Sequence, residues 1–460
     1  MKPDCDVLVV GAGITGLGAA YQLARRGLTY LVLEAGDDVG GVWRTHRWHG
    51  ARCDSDFIKY SFSFKPFLSD QCLHGRARIQ AYLREVAEEF DILPRIRFGT
   101  RVLSASFHSA HGVWEVRTSR GVLRARFLFN GNGYFSSPHL PRFRDEERFA
   151  GEIVHTAALD DARSFAGKRV VVVGSGSTAV CCAPELARTA ALVVMLQRSP
   201  SYIYEIDNRA GALIRACQAL YRSGLRAPVR LLRWYLQLRD DVIFVAFRAF
   251  PALARAIFRR HWREAVSEEA YREHFTPRYD PWQQRIPVAI GLKRALRDGR
   301  LALCTGEIER FTPGGMVLKD AREIACDVCI LATGYELDLF RFGLSVDGAP
   351  VELAGISFHK GIMMGGVPNY FHPFGAVHSA WTQSTEAMTR YAIDVMLRVR
   401  DEGRRGVCVP RRELWSAPRI LPGYVLRSLS RLPRLYGNWG LPTLDNVLSY
   451  RFDARELRFS

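Results

Sequence analysis

The order of apolar and polar positions in the first 34 residues predicts a strand, a glycine turn, a helix and a second strand. Residues 7–10 form a continuous apolar run, and three glycines follow within the next six positions. Apolar residues then recur at helical spacing to Arg26, and a second apolar run ends at Glu34. This succession is typical of a β-α-β unit that binds a dinucleotide.

The three glycines and the terminal acid have separate roles in such a unit. Gly11 allows the tight turn, Gly13 lets a pyrophosphate approach the backbone, and Gly16 lets the helix pack closely on the strand. The pyrophosphate then lies at the positive helix N-terminus. Glu34 can accept hydrogen bonds from both hydroxyls of an adenosine ribose, and its charge repels a 2'-phosphate. The first unit therefore predicts a dinucleotide with a bare ribose.

The next segments predict a shaped loop, a helix and several strands. Residues 40–64 are rich in aromatic residues and show no regular period, so we expect them to follow the cofactor as a loop. Asp54 is the candidate for chemistry there, although an Asx-turn or a cap explains an aspartate equally well. Residues 76–90 predict an amphipathic helix, and strands are predicted at 95–107, 113–118 and 121–129.

The opening pattern recurs between residues 168 and 199. Gly174 and Gly176 follow an apolar run, and Ser177 and Thr178 begin the helix as predicted cofactor contacts. The position of the first unit's acid holds a neutral glutamine, which is followed by Arg198 and Ser199. A guanidinium with a hydroxyl suits a ribose 2'-phosphate. The second unit therefore predicts NADP, with a purely structural β-α-β unit as the alternative.

Two apolar strands that end in glycine turns indicate where the chain passes between units. One run with its turn spans 127–134 and the other spans 326–335, in which Thr333 and Gly334 are predicted cofactor contacts. We therefore predict an α/β protein with two Rossmann-like dinucleotide-binding domains. The domain of the first unit comprises 1–140 and 331–460, and the NADP-binding domain of the second comprises 141–330, with a helical insertion at about 205–272.

Composition and length support a globular protein of more than one domain. The chain has 460 residues, of which 48% are hydrophobic and 24% charged, so disorder is not expected. No apolar run reaches the roughly 20 residues of a membrane span, and no leader pattern precedes the first strand, so a cytoplasmic location is expected. The ten cysteines form no framework, and no cluster has metal-ligand spacing, so no metal is predicted.

The net charge of +17 has a local source. Twelve arginines lie between Arg209 and Arg263 against two aspartates, interleaved with large apolar residues. This pattern predicts amphipathic helices with one basic face. A solvated helix face, a contact with a membrane surface and nucleic-acid binding are the three interpretations. No nucleic-acid motif accompanies the arginines, so no nucleic-acid partner is predicted.

One site for a bare ribose and one for a 2'-phosphate together predict FAD that NADPH reduces. The flavin then performs the difficult chemistry, and its acceptor is a disulfide, a quinone or dioxygen. A disulfide reductase needs a CxxC pair beside one unit. Cys326 and Cys329 lie instead in an apolar strand, where residues three apart point to opposite faces.

Two further motifs resemble the type I Baeyer-Villiger monooxygenases, which are class B flavoprotein monooxygenases. Between the units, Phe149, Gly151 and His155 match the linker fingerprint of this family, with Asp160 at its end and Leu159 in place of a tryptophan. A second signature is matched by Gly41, Trp43, Gly50 and Asp54. The segments FTPRYDPWQQR, KGIMMGGVPN, SAWT and PGYVLRSL resemble the ethionamide-activating branch.

The resemblance implies a reaction and assigns residues to it. The family oxidises ketones to esters or lactones through a flavin C4a-peroxide formed from dioxygen. Arg285 aligns with the active-site arginine, Asp54 with its partner, and Trp381 with a nicotinamide contact, while His155 organises linker closure. The expected substrate is a small hydrophobic ketone. Oxygenation of a sulfur or amine is the first alternative, and a flavin-binding, membrane-associated protein without turnover is the second.

Overall fold

The computed structural model describes residues 1–352, 356–374, 380–411, 450 and 456–460, together with the backbone of 434–436. The predicted PGYVLRSL segment and Ser379 of SAWT lie outside the described residues. Within the described part, no helix is both long and apolar enough to cross a bilayer.

The larger sheet carries the first dinucleotide unit. Its central strand pairs in parallel with the strand after the first helix and with the strand that ends at Asn130. Twelve strands form this sheet: β1 (Cys5–Val10), β2 (Tyr30–Leu33), β3 (Ile96–Arg97), β4 (Val102–His108), β5 (Val113–Thr118), β6 (Gly121–Asn130), β19 (Gly343–Val346), β20 (Ala349–Pro350), β21 (Ser357–His359), β22 (Met363–Met364), β23 (Tyr370–Phe371) and β25 (Arg434–Tyr436).

The smaller sheet carries the second unit, and all its neighbouring strands are parallel. In the order β13-β10-β9-β17-β8, its strands are β8 (Glu152–His155), β9 (Arg169–Val173), β10 (Leu192–Gln197), β13 (Leu301–Thr305) and β17 (Val328–Leu331). Short strands complete the fold: β7 (Phe135–Pro138), β11 (Tyr204–Glu205), β12 (Val288–Ala289), β14 (Ile308–Thr312), β15 (Gly315–Leu318), β16 (Glu323–Ala325), β18 (Tyr335–Leu337), β24 (Val407–Cys408) and β26 (Arg458–Phe459).

Helices cover the sheets and form the insertion. They are α1 (Ile14–Arg25), α2 (Val42–Thr45), α3 (Phe57–Tyr60), α4 (Arg76–Glu89), α5 (Ser177–Leu186), α6 (Ala212–Arg222), α7 (Ala227–Ala249), α8 (Pro251–Trp262), α9 (Glu268–His274), α10 (Leu292–Arg297) and α11 (Trp381–Asp401). Helix α1 begins directly after the glycine turn and is buried along most of its length, because its small residues let it lie against the sheet.

The two predicted passages between the units lie side by side. Strand β7 follows the first glycine turn, β18 follows the second, and the two pair antiparallel, with Tyr335 opposite Pro138. Residues far apart in sequence thus form one two-stranded connection between the sheets. The domain boundaries at 140 and 330 stay predictions.

The helical insertion contacts both units. It does not pack on the second unit alone, because Val229, Leu232 and Leu236 of α7 form a core cluster with Ile58 of the first unit. Only its later part, with Trp262 of α8, joins the core of the second unit. The outer side of the insertion exposes many large apolar side chains beside its arginines.

Candidate active site

A cavity of about 1140 Å³ lies where the two glycine loops face each other. Its wall contains most of the predicted site residues: Gly11, Gly13, Glu34, Gly41, Trp43, Asp54, Gly174, Gly176, Ser177, Thr178, Arg198, Ser199, Arg285, Thr333, Gly334 and Trp381. Four predicted residues are not among the described residues of this wall: Gly16, Phe149, Gly151 and His155. The volume slightly exceeds the roughly 300–1,000 Å³ of a typical single-ligand pocket, so the cavity has room for more than one ligand.

The first glycine loop is held in place by hydrogen bonds from both sides. The Gly11 amide donates to the Leu33 carbonyl at 2.8 Å, which ties the turn to β2. A Cβ atom on Gly16 would lie 1.9 Å from the Gly11 carbonyl oxygen, so only glycine lets α1 approach the turn this closely. The Glu34 carboxylate accepts from the amides of Ala12 and Gly36, each at 2.7 Å. Glu34 therefore orders the loop as well as lining the cavity.

The second glycine loop makes the same hydrogen bond to its neighbouring strand as the first. The Gly174 amide donates to the Leu196 carbonyl at 2.8 Å, which places Gln197 at the position of Glu34. The side chain of Gln197 points away from the cavity, however, because its amide donates to the His274 carbonyl at 2.7 Å and to Thr305. At this end of the second unit, Arg198 and Glu307 are charged residues on the cavity wall, and Arg198 is the cation that could meet a 2'-phosphate.

Asp54 and Arg285 come together although 231 residues separate them. The Nη2 atom of Arg285 donates to Oδ1 of Asp54 at 2.5 Å. Ser177, at the start of α5, donates from Oγ to the other carboxylate oxygen at 3.2 Å. The aspartate side chain is 13% exposed and the arginine 39% exposed. The carboxylate thus connects the second glycine loop to a guanidinium on the cavity wall.

His155 is buried outside the cavity and contacts residues that form its wall. Its Nδ1 accepts from the Ala157 amide at 3.0 Å, so Nε2 carries the proton and donates to the Gly334 carbonyl at 3.2 Å. Burial, the largest influence, lowers the pKa of His155 to about 4, so the ring is neutral near pH 7. Its ring also packs edge-on against Tyr335. His155 therefore connects the end of β8 to the turn at Thr333 and Gly334.

The other two linker residues are explained by packing. Phe149 is buried against Phe311, with ring centroids 5.3 Å apart. A Cβ atom on Gly151 would lie 2.3 Å from the Asp327 carbonyl oxygen, so glycine is required there. Leu159, at the position of the family's tryptophan, is buried in the core of the second unit.

The structure adds cavity residues that the sequence did not single out. His46 contacts the Phe135 carbonyl through Nε2 at 3.1 Å and stacks on Tyr335. Tyr60 accepts a 2.8 Å hydrogen bond from the indole of Trp43. Burial lowers the pKa of Arg341, which lies on the same wall. The aromatic content of 40–64 is a signal for the first two, whereas nothing in the sequence marks Arg341.

The CxxC cysteines lie in the core, as their apolar strand indicates. Cys326 and Cys329 are buried, and burial raises the pKa of the Cys326 thiol to about 12. Neither thiol lines the cavity in the part of the chain that the structure describes.

Two parallel-sheet units whose glycine loops face one cavity define a protein that holds two dinucleotides side by side. The chain belongs to the FAD-containing monooxygenases. It is 34% identical over 451 residues to the FAD-containing monooxygenase EthA of Mycobacterium tuberculosis, covering 94% of this chain and 92% of that protein. It is 28% identical over 484 residues to the probable FAD-binding monooxygenase AlmA of an Acinetobacter species, covering 100% and 96%.

Other comparisons agree with this assignment. Residues 8–213 match the family model described as pyridine nucleotide-disulphide oxidoreductase. An oxidised steroid monooxygenase bound to NADP superposes with a TM-score of 0.78 at 25% identity, covering 99% of both chains. A cyclohexanone monooxygenase in an open structure gives 0.79 at 21% identity over the full length of both, which shows the shared fold. The predicted fold class, family and FAD-NADP cofactor pair are confirmed.

Proposed function

We propose that this protein is an FAD- and NADPH-dependent monooxygenase that inserts one oxygen atom of dioxygen beside a ketone carbonyl. The product is an ester or a lactone. The observation that supports this reaction is the ion pair between Arg285 and Asp54, in a cavity that both glycine loops line. The steroid monooxygenase among the similar structures supports a hydrophobic substrate.

The residues present fit the two cofactors. A Cβ atom on Gly41 would lie 3.0 Å from Cα of Gly13, so the first loop and the following segment form a narrow glycine-lined cradle that suits a pyrophosphate. Gly13, Glu34 and Trp43 would hold FAD, and Ser177 and Arg198 would hold NADPH. FAD, when bound and reduced, supplies the chemistry that activates dioxygen.

The role of the protein in the reaction is to hold a positive charge at the place where negative charge develops. A guanidinium keeps its proton at any pH near neutral, so Arg285 can stabilise an oxyanion on the substrate without exchanging a proton. Asp54 holds the guanidinium through Oδ1, and Ser177 holds Asp54 through Oδ2. The charge is therefore oriented before the substrate arrives, and no reorganisation is needed during the reaction.

Oxygen uptake tests the proposed function directly. The purified holoenzyme is supplied with NADPH and a panel of cyclic and linear ketones, with matched sulfides as the comparison. We expect ketone-dependent uptake and products one oxygen atom heavier than the ketone, identified as esters or lactones by mass spectrometry. Sulfoxides without any ester would favour heteroatom oxygenation. FAD-loaded protein with no uptake on either panel would contradict turnover altogether.

Replacing Arg198 with alanine is expected to reduce the preference for NADPH over NADH by about tenfold to a hundredfold. This range corresponds to the loss of a charged hydrogen bond worth about 1.5–3 kcal/mol. The measurement is kcat/KM for each cofactor. Arg142→Ala is the control, because Arg142 also lines the cavity but pairs with Glu146 at 2.8 Å. An unchanged preference in Arg198→Ala would show that another group reads the 2'-phosphate.

A further inference from the structure

The outer side of helices α6, α7 and α8 exposes most of the large apolar side chains that this protein presents to solvent. Among the described residues, 18 large apolar side chains are strongly exposed, and 13 of them lie between 213 and 257. We call these the α6–α8 face: Leu213, Leu220, Leu225, Leu231, Trp234, Tyr235, Leu238, Val242, Ile243, Val245, Phe250, Leu253 and Ile257. Such a concentration on one region marks an interaction surface.

Helix α7 shows that this exposure is not a by-product of folding. The apolar side chains on its inner side, Val229, Leu232 and Leu236, are buried against Ile58. Its outer side carries a second apolar stripe, in which residues 231, 234, 235, 238, 242 and 245 follow helical spacing on the opposite side. The fold accounts for burying the first stripe, whereas the second is 69% exposed at Leu231 and 55% at Trp234.

The same helices carry a strong positive charge. Of the twelve arginines from Arg209 to Arg263, all except Arg233 are exposed. The only acidic residues in this range are Asp240 and Asp241. Asp240 pairs with Lys59 and Arg239, and Asp241 is 9% exposed beside Gln237. Four of the eleven exposed arginines form ion pairs, Arg209 with Asp207, Arg239 with Asp240, Arg255 with Asp280 and Arg259 with Glu268. The seven exposed arginines outside these pairs make the surface basic as well as apolar.

We propose that the α6–α8 face docks on an anionic phospholipid surface. Helices that lie in the membrane interface bury Leu, Trp and Phe at the acyl boundary while arginines contact lipid phosphates. The exposed Leu231 and Trp234, with the exposed Arg230 beside this stripe, match that chemistry. The protein would lie on the membrane surface without crossing it, and this docking is independent of the proposed reaction.

A second copy of this chain fits the same face less well. A twofold contact places the same patch on both partners, so arginines would oppose arginines across the interface. The acids beside these arginines are already engaged within the chain, since Asp240 pairs with Lys59 and Arg239, and Asp280 and Glu268 pair with Arg255 and Arg259. Anionic lipid supplies the opposite charge and the apolar medium together.

Vesicle co-sedimentation of the full-length holoenzyme tests the proposal. We expect binding to vesicles of phosphatidylcholine with phosphatidylglycerol, much weaker binding to phosphatidylcholine alone, and weaker binding at high salt. The double variant Leu231→Glu, Trp234→Glu is expected to lower partitioning to anionic vesicles by about tenfold or more, because it places two charges in the acyl boundary.

The matched control is Leu103→Glu, Leu140→Glu, which changes two leucines that are similarly exposed, at 53% and 58%, outside the face. Full FAD content and unchanged NADPH oxidation in both variants show that they are folded, whatever the substrate of the enzyme. Three results would overturn the proposal. They are absence of binding to anionic vesicles, equal binding by both variants, and a lipid-free dimer that only the Leu231, Trp234 variant dissociates in sedimentation velocity.

Discussion

Replacing Arg285 with alanine is expected to slow ketone oxygenation by about 100- to 1,000-fold, the usual effect of removing one preorganised donor from an oxyanion site. The physical reason is that Asp54 holds this guanidinium on the cavity wall. The variant should retain FAD, because the side chain that is removed pairs with Asp54, whereas Glu34 and the first glycine loop are held by the bonds of Glu34 to the amides of Ala12 and Gly36. The measurements are kcat with a ketone, flavin content, and the ratio of product formed to NADPH consumed.

Two further variants separate charge from geometry. Arg285→Lys keeps the positive charge but loses the planar fork, and Asp54→Asn keeps the size of the partner but loses its charge. We expect both to fall between the wild type and Arg285→Ala. Sulfide oxygenation is the internal comparison, because an electrophilic attack on sulfur needs no stabilised oxyanion on the substrate. Equal losses on ketone and sulfide, or no loss on either, would contradict the proposed role of Arg285.

Replacing Arg233 with alanine is expected to destabilise the protein by about 3–5 kcal/mol, the usual cost of leaving one partner of a buried ion pair without its counter-charge. Arg233 lies in α7 and faces Glu386 of α11 at 3.7 Å, and the two side chains are 7% and 5% exposed. It also donates to the carbonyls of Ile58 and Ser61, at 2.5 and 2.7 Å. These contacts fasten the insertion to the segment that carries Tyr60 of the cavity wall.

Thermal unfolding followed by flavin fluorescence measures this effect, and limited proteolysis reports whether the insertion detaches. Arg239→Ala is the matched control on the same helix. Its ion pair with Asp240 is exposed, with side chains 44% and 29% accessible, so a loss of at most about 1 kcal/mol is expected. The double variant Arg233→Met, Glu386→Leu should recover much of the stability, because no charge is left unpaired. Equal effects of Arg233→Ala and Arg239→Ala would contradict the argument.

The sequence by itself determined both dinucleotide units, because everything that defines them lies within about thirty residues. Strand, glycine turn and helix follow from local periodicity and from the conformations that only glycine adopts. The hydrogen bonds from Gly11 to Leu33 and from Gly174 to Leu196 confirm that equivalent positions of the two units form the same contact. The difference between Glu34 and the Gln197-Arg198 pair was also readable, since it occurs at one equivalent position.

Only the tertiary structure decided how these parts are combined. Asp54 and Arg285 are 231 residues apart, and no local pattern brings them together, so their pairing was available only through family resemblance. Gln197 turns inward because α9 and β13 supply its hydrogen-bond partners, which local sequence does not specify. Helix α7 packs on the first unit because its Val229, Leu232 and Leu236 find Ile58 there. Periodicity shows that a helix has an apolar stripe, but the packing partner of that stripe, and whether a second stripe stays exposed, depend on the whole fold.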